Sequence, residues 1–587
     1  MRPSSIVATL AVYLGLVAWL TWPLSAHLTT ALPNPWFPCR FDTLLVASVL
    51  SHESRALVTA PSQLLEGNFF HPTRHAVLYG DAEFGAIPYF IAPFLATGNP
   101  AFAVNVTFLG CVALTAWALH LIVVRWTGSH WAGFVAAWCF LTTRWVLWIW
   151  FPANPTYSVV HYLPFIMLAT ATPTRRFTDA VRVLPLVVLQ GLVSVYMAVA
   201  TLAPLALLGT VRLFRARSRA GGVHLLAVVG LAALVLCGSF WGFVLVAREN
   251  PAISQQTIYG TASYPKESLP WGPFEPGKPM GMAIACWGVL AAGVVCARRR
   301  GEQERRRTAC AVGAFWAVTG LVFSLTRQVT WRGHVIRMPQ YALIHWIPFL
   351  DAVRGPARIG IVGLIGLAVL TGVAVAEVLR RAGELSVMQR SAPRVFVARA
   401  AITAITVVTI YATYVRGTGK ARIELPSAYP LQDARVADSR TLRILATPGG
   451  PLLELPVGPT VVAHAQAMYR SIFHRRAILN GYDGYWPARF PARMEAACRL
   501  PDRDALAALR RETGLEMILV HAAALDGPAG APPYGCGAAT PNAGDPAASR
   551  RDAWFALAEH GRDDLLLVAR DGDDLLFSIQ DAAERID

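Results

Sequence analysis

Carboxylates gather in one segment near the start of the chain, between residues 25 and 100. This segment holds five of the fourteen acidic residues that precede position 416. Asp42 lies eighteen residues past the first apolar stretch, and Asp81 and Glu83 form a local acidic pair before the next one. A carboxylate in such a place can act as a general base towards an acceptor hydroxyl, or hold the acceptor by hydrogen bonds. On spacing alone, Asp42 could instead pair with Arg40, and the acidic pair could simply begin a helix.

Two arginines four residues apart, Arg354 and Arg358, come just before a long apolar segment and are the chemical complement of these acids. Paired guanidinium groups can hold a phosphate or pyrophosphate through several N–H donors, and the N-terminus of a helix adds a favourable partial charge. The alternative is an ion pair with Asp351, or contact with lipid headgroups.

Three further side chains could contact a donor or an acceptor. His71 and His75 lie in the acid-rich segment and could act as acid–base groups or as phosphate donors. Arg144 lies within an apolar, tryptophan-rich segment, where a charge is costly and often functional. No third ligand accompanies the histidines, and no Cys-x-x-Cys or Cys/His cluster has metal-binding spacing, so we predict no metal site.

The composition is that of a membrane protein. Of the 587 residues, 55% are hydrophobic and 15% are charged, whereas soluble domains carry about a quarter charged residues. Residues 1–415 hold 32 Lys and Arg against 14 Asp and Glu, and residues 416–587 hold 20 against 22. Because the basic excess belongs to the apolar part, it predicts membrane topology and not a nucleic-acid partner.

Ten segments approach the roughly 20 apolar residues that a membrane-spanning helix needs: 5–24, 101–124, 130–150, 156–172, 181–213, 223–246, 279–297, 308–325, 357–379 and 396–415. Short arginine clusters between them predict which ends are cytoplasmic: 175–182, 212–219, 298–307 and 380–399. If all four clusters are inside, residues 181–213 must form two short helices that meet near residues 190–197. The chain then has eleven spans, with its N-terminus inside and its C-terminus outside.

This topology divides the chain into two domains. Residues 1–415 form a transmembrane domain whose first extracytoplasmic loop is 25–100, and residues 416–587 form an extracytoplasmic domain. The inside loops are short and contain neither GxxxxGK(S/T) nor GxGxxG, the glycine motifs that bind nucleotides. A chemical step would therefore take place on the extracytoplasmic side, where nucleotide-activated donors are normally absent.

Residues 416–587, called the tail below, have the pattern of a mixed α/β domain. Short apolar runs predict strands at 451–456, 517–520 and 565–568, and Asp571-Gly572-Asp573 is a hairpin signal. Helical patterns cover 502–512 and 551–560, and a loop rich in Gly, Pro and Ala covers 525–549. Cys498 and Cys536 can form a disulfide if the tail is exported.

The order of several short motifs resembles the polytopic bacterial membrane glycosyltransferase-like proteins of the C-type (GT-C) superfamily, in particular an uncharacterised branch near the YfhO-like proteins. The motifs are Thr21-Trp22-Pro23, FFHPT (69–73), IAPF (91–94), GNPAFAVN (98–105), RWTGSHWAGFVAA (125–137), PFLDAVRGPARIG (348–360) and MYRSIFHRRAILNGYDGYWP (468–487).

The resemblance implies a GT-C-like helical fold and a transferase that uses a polyprenyl-phosphate sugar. Such enzymes keep a catalytic acid in the first extracytoplasmic loop, here Asp42 by position, and bind the lipid phosphate with basic residues, here Arg354 and Arg358. Better-known members have two acids in tandem after the first span, whereas Thr43 follows Asp42 in this chain. Asp81 and Glu83 are therefore the alternative catalytic acids.

We predict an inverting glycosyltransferase at the outer face of a bacterial inner membrane. It would need no cofactor beyond its lipid-linked sugar donor, and its acceptor would be a lipid, glycan or protein of the cell envelope. Two alternatives remain: a non-catalytic membrane protein whose exported domain binds partners or glycans, and a lipid-linked-sugar transporter. The enzyme requires Asp42 and the two arginines to face a common space.

Overall fold

The structure is a computed structural model of the chain. The residues that it describes are 3–81, 83–250, 272–275, 277–297, 304–325, 328–331, 334–338, 341, 355–384, 392–416, 424–457, 461–525 and 550–580.

The described residues before 417 are mostly helical, because a long apolar segment can satisfy its backbone hydrogen bonds internally only as a helix. The α-helices in its described residues are Pro3–Leu20, Asp42–Thr59, Ile87–Thr97, Pro100–Thr127, His130–Leu141, Trp150–Ala153, Tyr162–Ala169, Phe177–Val181, Leu184–Gly191, Val195–Leu213, Arg219–Ser239, Trp241–Glu249, Ile284–Ala297, Glu304–Ser324, Gly360–Glu384 and Ala392–Arg416.

Six helices of the described chain are long and apolar enough to cross a membrane, or seven if the bent pair His130–Leu141 and Trp145–Ala153 is one span. Three shorter apolar helices accompany them, at Ile6–Leu20, Ile87–Thr97 and Ile284–Cys296. The chain therefore has the architecture of a multi-pass membrane protein. Eleven spans and the sides of the two termini stay predictions.

The break that we predicted within residues 181–213 is confirmed. Leu184–Gly191 and Val195–Leu213 are separate helices. Ser194 directly precedes the second helix, and its hydroxyl accepts a hydrogen bond from the backbone N–H of Met197 (3.2 Å). A serine in extended conformation directly before a helix is a favoured N-cap, because it satisfies one of the unpaired N–H groups of the first turn.

The acid-rich segment that we predicted as a loop contains two helices, Asp42–Thr59 and Ile87–Thr97. The first was hidden in the sequence because Ser, His, Glu and Arg interrupt its apolar residues. Val46 and Leu50 are nevertheless fully buried. A helix enclosed by protein needs only an apolar stripe, not the uninterrupted apolar run that lipid demands.

The tail contains a four-stranded sheet, as its apolar runs predicted. The strands lie in the order Leu452–Leu455, Met517–His521, Asp574–Ile579, Leu565–Asp571. The first pair is parallel, and the other two pairs are antiparallel. The predicted helices are present as Arg503–Thr513 and Arg550–His560. Cys498 is disulfide-bonded, whereas Cys536 and most of the 525–549 loop lie outside the described residues.

The tail packs onto the acid-rich segment through two sets of backbone hydrogen bonds. Ala31–Pro33 pairs with Leu431–Asp433 as a short antiparallel ladder. Further along, the N–H of Phe70 donates to the carbonyl of Asn480 (2.9 Å), and the N–H of Ile478 donates to the carbonyl of Asn68 (2.8 Å). The side chains of Phe69 and Phe70 lie in the hydrophobic core of the tail.

Close glycine contacts join the helices Glu304–Ser324 and Gly360–Glu384. A Cβ atom at Gly320 would lie 2.2 Å from the backbone nitrogen of Gly363, so the two backbones touch there. Small residues at such crossings let membrane helices approach closely, which maximises van der Waals contact where lipid provides no hydrophobic driving force.

Gly320→Ala should destabilise the protein by about 1–3 kcal/mol, because the added methyl group forces two packed backbones apart. Gly288→Ala is the matched control: nothing lies within 4 Å of a Cβ at this helical glycine, and alanine is the better helix former by about 1 kcal/mol. Thermal unfolding of the detergent-solubilised variants measures both effects. Equal stability of the two variants would contradict the close crossing.

Candidate active site

Asp42 is the first residue of the helix Asp42–Thr59 and is half-buried. Its Oδ1 accepts a hydrogen bond from the hydroxyl of Tyr482 (2.7 Å). The next residue, Thr43, donates through its hydroxyl to the carbonyl of Pro152 (2.9 Å). The helix start is therefore fixed from two directions, by the tail and by the helix that carries Trp150.

Asp483, the tail residue after Tyr482, contacts the residue that precedes the acidic pair Asp81 and Glu83. Asp483 packs directly against Gly80, where a Cβ would lie 1.6 Å from Asp483 Oδ1. A side chain at position 80 would therefore displace the carboxylate of Asp483. The acid-rich segment thus meets the tail at the residue that precedes Asp81.

An aromatic cage holds Arg358. Its guanidinium carbon lies 4.0 Å from the ring centre of Trp150, 4.6 Å from that of Tyr196 and 5.5 Å from that of Tyr157. A guanidinium over aromatic faces is stabilised by cation–π attraction. Arg358 lies on the 3₁₀ turn Pro356–Ile359, which is tied to the cage because the N–H of Gly355 donates to Tyr196 Oη (3.3 Å).

Tyr157 connects the arginine to the acidic pair. Arg358 Nη1 donates to Tyr157 Oη (3.2 Å), and the same hydroxyl donates to Asp81 Oδ2 (2.8 Å). The result is a directed chain of hydrogen bonds from the cation through a phenol to a carboxylate. Tyr157 is 2% exposed, so this connection lies inside the protein.

Two buried acids lie behind this chain. Glu83 is 4% exposed, and its Oε1 accepts from Asn154 Nδ2 (3.4 Å). Burial and the nearby charge of Asp81 raise the pKa of Glu83 well above its ordinary value. Glu53 is fully buried, and neither of its carboxylate oxygens has a hydrogen-bond partner within the described residues. Burial, with a further contribution from Glu83, also raises its pKa well above the ordinary value.

The structure brings Asp42, Asp81, Glu83 and Arg358 into one connected region, and it places three of the other predicted residues elsewhere. His71 Nε2 bonds the carbonyl of Thr513 in the tail (3.1 Å). The backbone N–H of His75 donates to Glu66 (3.0 Å), and Arg144 donates to the carbonyl of Tyr414 (3.2 Å). Arg354 lies outside the described residues.

Sequence reasoning assigned no role to the residues that connect the site: Trp150, Tyr157, Tyr196, Tyr482 and Asp483. Glu53 was counted among the five acids of the segment 25–100 but was not selected as a site residue. Aromatic residues are common throughout this chain, so nothing in the pattern singles out the three that surround Arg358. The sequence could have indicated Tyr482 and Asp483, because both belong to the 468–487 motif that carries the resemblance. Among the described residues, no group of three or more His, Cys, Asp and Glu side chains is arranged to hold a metal ion.

No protein-family model and no curated protein matches the sequence. Among solved structures, the chain is similar to the cryo-EM structure of the arabinofuranosyltransferase AftD from Mycobacteria, with a TM-score of 0.59 and 14% identity. It is also similar to the oligosaccharyltransferase AglB of Archaeoglobus fulgidus in complex with an inhibitory peptide and a dolichol-phosphate, with a TM-score of 0.46 and 10% identity.

The likeness to the arabinofuranosyltransferase establishes the fold. It covers 99% of this chain and 40% of that protein, so this chain spans less than half the length of the structure that it matches. The predicted fold class is confirmed: a GT-C-like helical membrane protein with a C-terminal α/β region. The placement near the YfhO-like proteins stays a prediction.

Glu53→Gln should stabilise the protein near neutral pH and leave it unchanged in acid. In the unfolded chain Glu53 loses its proton near its ordinary pKa of 4.5, while the folded protein retains it. Stability therefore falls as the pH rises above about 4.5, and glutamine removes that loss. Each pKa unit corresponds to about 1.4 kcal/mol, so the gain should be measurable by thermal unfolding.

The exposed Glu495 provides the control, because Glu495→Gln makes the same chemical change at the protein surface, where it should leave the stability near neutral pH as it is in the wild type. A Glu53→Gln protein that is less stable than the wild type near neutral pH would show that Glu53 is charged and paired in the folded state.

Proposed function

We propose that the protein is a membrane glycosyltransferase that transfers a sugar from a polyprenyl-phosphate donor to an acceptor at the outer face of the membrane. The observation that carries the proposal is the connection between Asp42 and Arg358. It runs from Asp42 to Tyr482 and its neighbour Asp483, across Gly80 to Asp81, and through Tyr157 to the guanidinium. A base and a phosphate-binding cation belong to one region.

Asp42 is the proposed general base. A carboxylate positioned beside an acceptor hydroxyl can take its proton as the new bond forms, and such proton transfer contributes roughly 10²–10⁴-fold to a rate. The hydroxyl of Tyr482 donates a hydrogen bond to Oδ1 of this carboxylate (2.7 Å). The role of Tyr482 would be to fix the direction of the base.

Arg358 is the proposed phosphate ligand. Within the described residues, one of its N–H groups is engaged, by Tyr157. A guanidinium has five N–H donors in a planar fork, so others can meet two phosphate oxygens together. The aromatic cage fixes the cation before the donor arrives. Such pre-organised charge stabilises a leaving group whose negative charge grows in the transition state.

The reaction is a single displacement. The acceptor oxygen forms a bond to the anomeric carbon of the sugar, and the bond from that carbon to the phosphate oxygen breaks. The proton of the acceptor hydroxyl passes to Asp42, and the electron pair of the broken bond stays on the polyprenyl phosphate. The products are a glycoside and the free lipid phosphate, with inversion at the anomeric carbon.

The fold is consistent with this role, since the protein that shares it is an arabinofuranosyltransferase by its name. A membrane-embedded site beside apolar helices suits a donor whose sugar is carried on a long lipid. The acceptor would be a lipid, glycan or protein of the cell envelope, reached from the exported side.

Asp42→Asn should abolish transfer, by at least about 10²-fold, because the amide cannot accept the proton. The measurement is the cell-surface glycan composition of a deletion strain that carries the wild-type or the variant gene. Asp179→Asn is the control, because this half-exposed carboxylate pairs with Arg182 on the surface (3.5 Å). An Asp42→Asn strain with wild-type glycans would disprove the assignment of the base.

Arg358→Gln should lose transfer, and Arg358→Lys should retain only part of it. Lysine keeps the charge but has neither the planar fork nor the stacking surface of arginine. The loss should exceed about tenfold for Lys, since a charge-assisted hydrogen bond contributes roughly 1.5–3 kcal/mol. The same complementation measures it, with thermal unfolding of both proteins as the check on folding. Full activity of Arg358→Gln would exclude it as the phosphate ligand.

A further inference from the structure

A small basic cavity lies where the helix Asp42–Thr59 meets the tail, towards the end of the helix that is remote from Asp42. Its volume is about 140 Å³, which is well below the roughly 300–1,000 Å³ of sites for drug-sized molecules. Arg55 from the helix and Arg475 from the tail both line it. Among the described residues that line it, none is an acid. The cavity therefore suits a small anionic group.

The two arginines face the cavity without a carboxylate partner among the described residues. Arg55 is half-buried, its Nη1 donates to the carbonyl of Ile472 (2.7 Å), and its guanidinium carbon lies 5.0 Å from the ring centre of Phe94. Burial, followed by the nearby charge of Arg475, lowers the pKa of Arg55 to about 10. Both groups are thus cations at neutral pH, and an anion between them would offset their mutual repulsion.

One acid acts on this region without lining the cavity. Glu66 interacts electrostatically with His52. Its carboxylate lies 3.5 Å from Arg74 and accepts a hydrogen bond from the backbone N–H of His75 (3.0 Å). Because these groups outside the cavity engage Glu66, it does not neutralise the two arginines.

The backbone at Arg475 indicates that its side chain has a role. Arg475 directly follows the helix Val461–His474 with a φ of 61°, and its N–H donates to the carbonyl of Ser471 (2.8 Å). Glycine is the usual residue at this position after a helix, because other residues are strained in the left-handed conformation. Strained residues occur preferentially at functional sites. An arginine at a glycine position is explained if its guanidinium binds a ligand.

The cavity lies close to the level of the membrane surface. The apolar helix Pro100–Thr127 has 28 residues, which is roughly 42 Å at 1.5 Å per residue, and a bilayer with its headgroups is about 40–45 Å thick. The start of this helix therefore lies in the headgroup layer. Phe94, which carries the guanidinium of Arg55, precedes it by six residues. Beside these groups, Leu95 is 47% and Val58 is 63% exposed, as expected where protein meets lipid.

We propose that Arg55 and Arg475 bind the phosphate group of an anionic membrane lipid. Guanidinium groups match the oxygens of a phosphate with several N–H donors, and basic pockets at the membrane surface favour anionic headgroups. A free phosphate ion has the same oxygens, but the exposed Val58 and Leu95 offer an apolar surface that only a lipid would use. Since Arg475 belongs to the tail, the bound lipid would connect the tail to the membrane. The proposal does not depend on glycosyl transfer.

Native mass spectrometry of the full-length, detergent-solubilised protein can test this site, with phosphatidylglycerol, phosphatidylcholine and inorganic phosphate as probes. The wild type should retain phosphatidylglycerol in preference to the other two. Arg475→Gly should weaken this binding by about tenfold or more, because a charge-assisted contact is lost. It should unfold at a temperature no lower than that of the wild type, since glycine is favoured in the left-handed conformation. A merely structural arginine would not give this combination.

Arg55→Gln is the second variant and should also weaken the binding of phosphatidylglycerol. Arg503→Gln is the control: it removes one positive charge from the tail at an exposed arginine that pairs with Asp563 (2.7 Å). Binding that Arg475→Gly and Arg55→Gln weaken and Arg503→Gln does not would support the site. Equal retention of phosphatidylcholine, binding of inorganic phosphate in place of the lipid, or unchanged binding in Arg475→Gly would overturn it.

Discussion

The backbone hydrogen bonds between residues 68–71 and 478–480 determine the geometry of the candidate active site. They place the following turn of the tail against the membrane domain, so that Tyr482 reaches Asp42 and Asp483 reaches Gly80. The approach requires glycine at position 481, where a Cβ would lie 2.2 Å from the ring of Phe70. The tail is thus a structural part of the site and not an appended domain.

The distribution of charge in this region follows from burial. Glu53 and Glu83 are enclosed so completely that the acid form is favoured over the carboxylate. As neutral acids they would not compete with the proposed lipid phosphate for Arg358. The cation itself remains charged because aromatic faces and a phenol replace the water that burial removes. Among the described residues, Arg358 is thus a charged group beside acids that are buried or hydrogen-bonded. This arrangement suits the anionic leaving group proposed above.

The helix Asp42–Thr59 contacts both the candidate active site and a polar cavity of the tail that is lined by Glu454, Arg470 and His521. Asp42 at its start belongs to the candidate active site, and Leu44, two residues later, lines the polar cavity of the tail. The strand that carries Glu454 is also bonded to Asn480, since the N–H of Glu454 donates to Asn480 Oδ1 (2.8 Å). Asn480 lies two residues before Tyr482.

The sequence by itself determined the membrane character, the broken helix within 181–213, and the strands and helices of the tail, and it indicated Asp42, Asp81, Glu83 and Arg358 as candidate site residues. These follow from local patterns: apolar length, periodicity, turn residues and charge. Only the tertiary structure decided which groups meet. It shows two helices within the segment 25–100, which we predicted as a loop. His71 and Arg144 bond backbone carbonyls, and the N–H of His75 donates to Glu66. Tyr482 donates to Asp42. Contacts between residues some 440 positions apart depend on packing, which leaves no periodic signal in the chain.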